Sequence, residues 1–283
     1  MIIWLASYPK SGNTWVRSII AALMYTDNGV FNFSLLDKIK QFPSDAFFEG
    51  LSNNLSNINE IAKHWETAQE LINLDNQIKF LKTHHLKCKI NEHNFTSNKN
   101  TLATIYIVRD PRNLVSSISN HYSKSLEEAK EFMFTPKYLF GFKKDGNLKK
   151  DGVKTILGTW SEHYKFWKTN NENYLLIKYE DLINNRDIAL NKILRFINEL
   201  NGTKLEINQK KFNNVVKTTS FERMKNLERT KGFFEAKLDL KTGKKIPFFN
   251  LGEKNDWKKF LNVRISNKIE KAFKNEMIEL GYL

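Results

Sequence analysis

The sequence predicts an open, mainly parallel β-sheet covered by helices on both faces, and three observations carry that expectation. Short β-branched or aromatic apolar runs recur at Ile2–Ser7, Ile78–Lys82, Thr104–Val108 and Tyr174–Tyr179, the signature of strands. Longer stretches with apolar residues at helical spacing separate them. A chain of 283 residues with 41% hydrophobic content is large enough to bury an extensive core. Strands alternating with helices of this length imply parallel βαβ units, whose ligands sit beyond the carboxyl ends of the strands.

The elements follow in order. Ile2–Ser7 reads as a buried strand, and Thr14 to Tyr25 as a helix through Val16, Ile19, Ile20 and Leu23. Asn57 to Leu74 is a second helix, leading into the strand Ile78–Lys82. Thr104–Val108 (TIYIV) is the strongest strand signal, and Pro111 stands at a first-turn position for a helix reaching Tyr122. Val153–Lys168 is read as helix, Tyr174–Tyr179 as strand, Asp187–Leu200 and Ile265–Leu280 as helices. The Lys-, Gly- and Thr-rich stretch from Leu227 to Pro247 is read as a mobile loop. No internal repeat or linker divides the chain, so residues 1–283 are expected to form a single domain.

Composition narrows the partners. Lys and Arg outnumber Asp and Glu by 45 to 31, a formal charge of +14 spread without a long basic block. That distribution suits an anionic small ligand better than nucleic acid. Cys88 is the only cysteine, which precludes an intrachain disulfide and agrees with a reducing compartment. The apolar run Met1–Ala6 is too short to span a membrane and lacks the marks of a signal peptide, so a cytoplasmic protein is expected.

The segment Ser7-Tyr8-Pro9-Lys10-Ser11-Gly12-Asn13-Thr14-Trp15 joins the first strand to the first helix. A glycine-containing turn there aims free N–H groups and the positive end of the helix dipole at an anion of phosphate type. Against G-x-x-x-x-G-K-[ST], Gly12 and Thr14 fall in place, but Ser7 replaces the first glycine and Asn13 the lysine. The cation stands at Lys10 instead, which argues against a magnesium-dependent nucleotide kinase or GTPase.

YPKSGNTW resembles the 5′-phosphosulfate loop of the sulfotransferases that use 3′-phosphoadenosine 5′-phosphosulfate (PAPS), usually written YPKSGTTW. The resemblance implies the P-loop-like sulfotransferase fold and transfer of a sulfuryl group from PAPS to a hydroxyl, or an amine, of an acceptor. By it, Lys10 contacts the bridging oxygen of the donor, Ser11, Gly12, Asn13 and Thr14 cradle the 5′-phosphate, and Trp15 packs beside the adenine. A lysine suits that place because negative charge builds on the leaving phosphate as the S–O bond breaks.

Further motifs follow in family order. Lys82-Thr83-His84-His85-Leu86 resembles K-T-H-L, whose His is the general base; alignment through Lys82 and Thr83 selects His84, with His85 the alternative and Lys82 assisting at the sulfuryl oxygens. Arg109 and Ser117 match the Arg and Ser that bind the 3′-phosphate; Arg112 is expected to be solvated. Tyr179-Glu180-Asp181 and Thr219-Ser220-Phe221 resemble Y-E-D and T-S-F, which places Tyr179, Thr219 and Phe221 around the adenine.

In the last segment Gly252, Asp256, Trp257 and Lys258 match R-K-G-x-x-G-D-W-K, but Asn250 and Leu251 replace its Arg-Lys pair, and Lys254 is a candidate substitute. Lys258, Asn262, Val263 and Asn267 partly follow the K-x-x-x-T-V-x-x-x-E dimerisation motif, so a monomer or a homodimer is expected. No metal is implied. Phe42, Phe47, Phe48, Phe132, Phe134, Tyr138, Phe140 and Phe142 are read first as core, and otherwise as lining or lid of a pocket for a small hydroxyl-bearing acceptor. A non-catalytic PAPS-binding module is the alternative function.

Overall fold

A computed structural model describes residues 1–142, 148–168, 173–201, 207–239 and 243–283, without the side chains of Phe142, Leu148 and Asn201. Four strands form the central sheet: β1 (Ile2–Ser7), β2 (Lys79–Thr83), β3 (Thr101–Val108) and β4 (Tyr174–Lys178), in spatial order β4-β3-β1-β2. All three pairings are parallel. The alternating side chains of β1 feed two cores. Ile2, Trp4 and Ala6 pack with Trp65, Leu114, Trp160 and Trp167; Ile3 and Leu5 pack with Val16, Ile19, Ile193 and Ile197. Each face is thus sealed by helices, as a parallel sheet requires.

The register places the site. Ala6 lies beside Thr83, Ser7 beside Ile107, and Val108 beside Lys178. The residues that follow (Tyr8 to Gly12, His84, Arg109 and Tyr179) therefore emerge along one edge of the sheet. β1 is flanked by β2 on one side and β3 on the other, so the chain changes direction about it, which opens a crevice at the carboxyl edge. Helix α1 (Asn13–Met24) starts from that crevice and α2 (Pro111–Tyr122) leaves it.

Several elements differ from expectation. The segment from Asn57 to Leu74 forms two helices, Ile58–Ala62 and Trp65–Asn73. The break at His64 (φ −106°, ψ 0°) turns Trp65 inward against His85 and Phe95. Val153–Lys168 is not one helix: Thr155–Leu157 pairs as a strand with Lys137–Leu139. The helix begins at Trp160 behind a Thr159/Glu162 capping box. The C-terminal helix divides into Val263–Ala272 and Lys274–Glu279 at Phe273. Tyr179 opens a short helix, Tyr179–Asn184, instead of ending β4.

Described parts of the Leu227–Pro247 stretch, read from the sequence as a mobile loop, pack into the fold. Its first residues complete α3 (Phe221–Lys231), and Phe233 is buried against Phe33, Phe248 and Phe249. Residues 240–242 lie outside those described. Among the described residues no helix is long and apolar enough to cross a membrane.

Candidate active site

A cleft of about 1960 Å³ opens at the carboxyl edge of the sheet. Of the residues singled out in the sequence, Lys10, Gly12, Asn13, Thr14, Trp15, Lys82, His84, Arg109, Ser117, Tyr179, Phe221 and Gly252 line it. Ser11 and Thr219 do not. Ser11 is fully buried behind the turn, and Thr219 gives its hydroxyl to the Val215 carbonyl while its own carbonyl accepts the Trp15 indole N–H.

The turn after β1 takes its shape from two left-handed residues, Lys10 (φ 69°) and Gly12 (φ 101°). Gly12 is required twice over: beyond its φ, a Cβ there would stand 2.6 Å from the Tyr179 ring. Gly12 caps α1 without any side-chain cap, so the first N–H groups of the helix face the cleft, which makes an anion site. Lys10 is half-buried, its Nζ 3.6 Å from the centre of the Phe248 ring. Burial lowers its pKa to about 7, against the opposing pull of Glu235.

The Asn13 side chain turns inward. Its Nδ2 donates to the Leu5 carbonyl at 2.8 Å and to Ser7 Oγ at 3.1 Å. Ser7 in turn orients His84, whose Nδ1–H donates to the Ser7 carbonyl at 2.8 Å. That bond sets the tautomer and leaves Nε2 as the acceptor nitrogen. Burial and the neighbouring Lys82 ammonium hold the imidazole at a pKa of about 3, so it is neutral. His163 steadies the backbone behind it, donating from Nε2 to the His84 carbonyl at 3.2 Å and accepting the Tyr106 hydroxyl. His85 points the other way, buried and stacked on Phe95 with centroids 4.3 Å apart.

Arg109 leaves β3 into the cleft as a buried guanidinium, 5% exposed, lying 3.9 Å over the Tyr179 ring. Its Nη1 donates to the Lys10 carbonyl at 3.3 Å, while Nε has no partner and no carboxylate pairs with it among the described residues. Glu180 holds the start of α2 in place by accepting the Asp110 N–H at 3.1 Å. Arg112, expected in solvent, is buried: it forks onto Asp110, reaches Glu270 at 2.7 Å and lies over the Trp257 ring.

Trp15, Tyr179, Phe221 and Phe249 form an aromatic wall, with ring centroids 5.6 to 6.0 Å apart from Trp15 to Tyr179, Trp15 to Phe221 and Phe221 to Phe249. Gly252 fits against it because any Cβ would lie 2.4 Å from the Phe221 ring. Asn250 and Leu251 also line the cleft, whereas the Lys254 side chain is exposed and does not. Asn255 clips this segment to α2, accepting from Ser116 Oγ and donating to the Asn113 carbonyl.

The aromatic residues divide. Phe42, Phe48 and Phe132 belong to the buried core, Phe47 and Phe134 pack against it, and Phe132, Tyr138 and Phe140 line the cleft. The side chain of Phe142 lies outside the described residues.

Sequence reasoning missed Ser7 and Glu235. Ser7 showed only as a departure from the Walker spacing. Glu235 showed nothing, being one acid in a basic stretch. Its carboxylate accepts from Thr14, Arg17 and Lys82.

The family profile described as "Sulfotransferase domain" matches residues 2–281. Sulfotransferase 1E1 of Bos taurus is 24% identical over 280 residues, covering 96% of this chain and 82% of that protein. Flavonol 3-sulfotransferase of Flaveria bidentis is 24% identical, covering 99% and 82%. Among solved structures, mouse sulfotransferase SULT7A1 complexed with PAP superposes with a TM-score of 0.58 at 20% identity, over 98% of this chain and 84% of that one. A retinol dehydratase in complex with androsterone and inactive cofactor PAP gives 0.58 at 17%, over 98% and 80%.

Proposed function

The chain belongs to the sulfotransferase family, and on that premise we propose that it transfers a sulfuryl group from PAPS to the hydroxyl, or an amine, of a small acceptor. PAPS supplies the activated sulfuryl group on a phosphate leaving group. The cleft suits such an anion: Arg109 is a buried cation that, among the described residues, has no carboxylate and no partner for its Nε, and Gly12 and Gly252 keep two approaches clear of any Cβ.

Each residue then has a task. The first N–H groups of α1, at Gly12, Asn13 and Thr14, bind the 5′-phosphate; Ser11 shapes the turn from behind. Arg109 and Ser117 bind the 3′-phosphate, as guanidinium and hydroxyl donors suit phosphate oxygens. Trp15, Tyr179 and Phe221 take the adenine, with Thr219 supporting Trp15 through its carbonyl. The Lys10 ammonium stabilises charge developing on the leaving oxygen. Lys82 assists at the sulfuryl oxygens. His84 Nε2 accepts the acceptor's proton, a task for a neutral imidazole. The acceptor enters along Phe132, Tyr138 and Phe140. Residues 1–283 act as one domain, as monomer or homodimer, in the cytoplasm.

The observation that carries this reading is the convergence of Lys10, Arg109 and neutral His84 on one cleft. Adenosine 3′,5′-diphosphate (PAP) tests it. PAP without metal is expected to raise Tm, and His84→Ala to abolish turnover of labelled PAPS with a panel of phenols, alcohols and sugars while leaving PAP affinity within a factor of about three. A protein that PAP does not stabilise, or a His84→Ala variant with wild-type turnover, refutes it.

A further inference from the structure

Glu235 belongs to none of the roles assigned above, yet it stands among the cations of the cleft. Its Oε1 accepts from Arg17 Nη1 at 2.7 Å and from Lys82 Nζ at 3.1 Å, and its Oε2 accepts from Thr14 Oγ1 at 3.0 Å. These donors come from α1 and β2, 153 residues away in sequence for Lys82 and 221 for Thr14. The three charged side chains are all largely buried, with exposures of 6% for Arg17, 8% for Lys82 and 17% for Glu235. The geometry points to Glu235 as a positioning residue: its carboxylate fixes Lys82 at the transfer end of the cleft and clips residues 232–239 down as the wall beside Lys10. The inference rests on the roles given above to Lys82 and Lys10.

Electrostatics explains why a carboxylate is needed there. A buried ammonium left without a counter-charge loses far more than an exposed one does. Burial lowers the pKa of Lys82, and Glu235 is the group that raises it again. Burial alone would raise the Glu235 carboxyl, but Lys82 and Arg17 bring it down to about 2, so the carboxylate is ionised throughout the working range. Among the described residues the groups facing Lys82 are otherwise cationic or neutral: Arg17 from α1, Lys10 from the turn, His84 beside it and His121 from α2.

Mechanics extends the effect to Lys10. Phe233, two residues before Glu235, packs on Phe248 with centroids 4.9 Å apart, and the Phe248 ring lies under Lys10 Nζ. Releasing Glu235 frees the segment that supports this shelf. The same bond defines what Thr14 offers a ligand. A hydroxyl has one proton to donate, and here it goes to Glu235, which leaves Thr14 its N–H for an anion.

The test compares Glu235→Gln with Glu235→Asp. In the ligand-free protein, the side-chain NMR signal of Lys82, assigned with Lys82→Met, is expected to titrate at lower pH in Glu235→Gln than in wild type, and nearer to wild type in Glu235→Asp. Identical titration in wild type and Glu235→Gln overturns the proposal. Where Glu235→Gln does not fold, Glu235→Asp carries the comparison: the carboxylate withdrawn by one methylene is expected to lower the Lys82 titration part of the way, and an unmoved titration overturns the proposal.

Wild type is assayed first for PAP binding by calorimetry and for PAPS turnover. A wild type that binds no PAP refutes the proposed function and leaves the ligand-free titration to decide the holding of Lys82 by itself. In a wild type that turns over, Glu235→Gln is expected to lower kcat about 10- to 100-fold, the worth of one charge-assisted bond, with a smaller change in KM for PAPS. A lowered Tm with kcat unchanged makes Glu235 a purely structural clip and overturns the proposal.

Discussion

Replacing Arg109 with Met separates a recognition residue from a structural one, because the two roles predict opposite signs for stability. In the ligand-free protein Arg109 is a buried charge with no carboxylate partner among the described residues, and an unpaired buried ion costs several kcal/mol. Two contacts offset that cost. The Tyr179 ring beneath it is worth about 2 kcal/mol when desolvated, and the bond to the Lys10 carbonyl at 3.3 Å about 1 kcal/mol. Methionine keeps the apolar stem and removes the charge, so it should recover about 1–2 kcal/mol. At roughly 2–4 °C per kcal/mol for a chain of this size, Tm should rise by roughly 2–8 °C. PAP affinity should move the other way. Two charge-assisted bonds at about 1.5–3 kcal/mol each correspond to a loss of roughly 10²- to 10⁴-fold. Differential scanning calorimetry reads the first effect and isothermal titration calorimetry the second. A variant that melts several degrees lower and binds PAP within threefold of wild type would show that Arg109 is structural, and the 3′-phosphate assignment would fall.

Three further outcomes are expected. Burial holds His85 and His163 at pKa values of about 3, so the unfolded chain binds more protons below pH 6.5; ligand-free stability should fall as pH drops from 6.5 towards 3, by up to about 1.4 kcal/mol per unit for each histidine, and chemical denaturation across that range reads it. Lys10, lowered to about 7, is largely deprotonated at pH 8 without ligand, so PAP binding at pH 8 should take up protons; calorimetry in buffers of different ionisation enthalpy measures this, and no uptake would place the phosphates away from Lys10. Gly252→Ala puts a methyl 2.4 Å from the Phe221 ring at a φ of +57°, which should weaken PAP at least tenfold and lower Tm, since backbone strain and side-chain displacement combine.

The sheet and most residues of the cleft were legible because they are local. β1 and the turn after it lie within fifteen residues, and Arg109 and Ser117 are separated by one stretch of helix. What escaped depends on tertiary contacts. Arg112 looks like any surface arginine until Asp110, Glu270 and Trp257 close around it. Glu235 acquires its partners only when a segment from the last quarter of the chain folds onto the first helix. The strand at Thr155–Leu157 was hidden because its partner is another three-residue segment, too short for periodicity to reveal. Lys254 sat at a plausible distance in sequence, but the turn at Gly252 carries it out to the surface.

The common stopping level of the four strands has a consequence for how this molecule can change. Adding or deleting one residue inside β1, β2 or β3 would slide Lys10, His84 or Arg109 by about 3.3 Å along the strand direction and invert the facing of the side chains that follow. That displacement exceeds any hydrogen bond's tolerance. Beyond the rim, Phe132 and Tyr138 are held by the helix Leu126–Phe134 and by the strand Lys137–Leu139 paired with Thr155–Leu157, elements outside the four-stranded sheet. Strand length in the central sheet therefore sets where Lys10, His84 and Arg109 stand, while Phe132 and Tyr138 take their places from other elements.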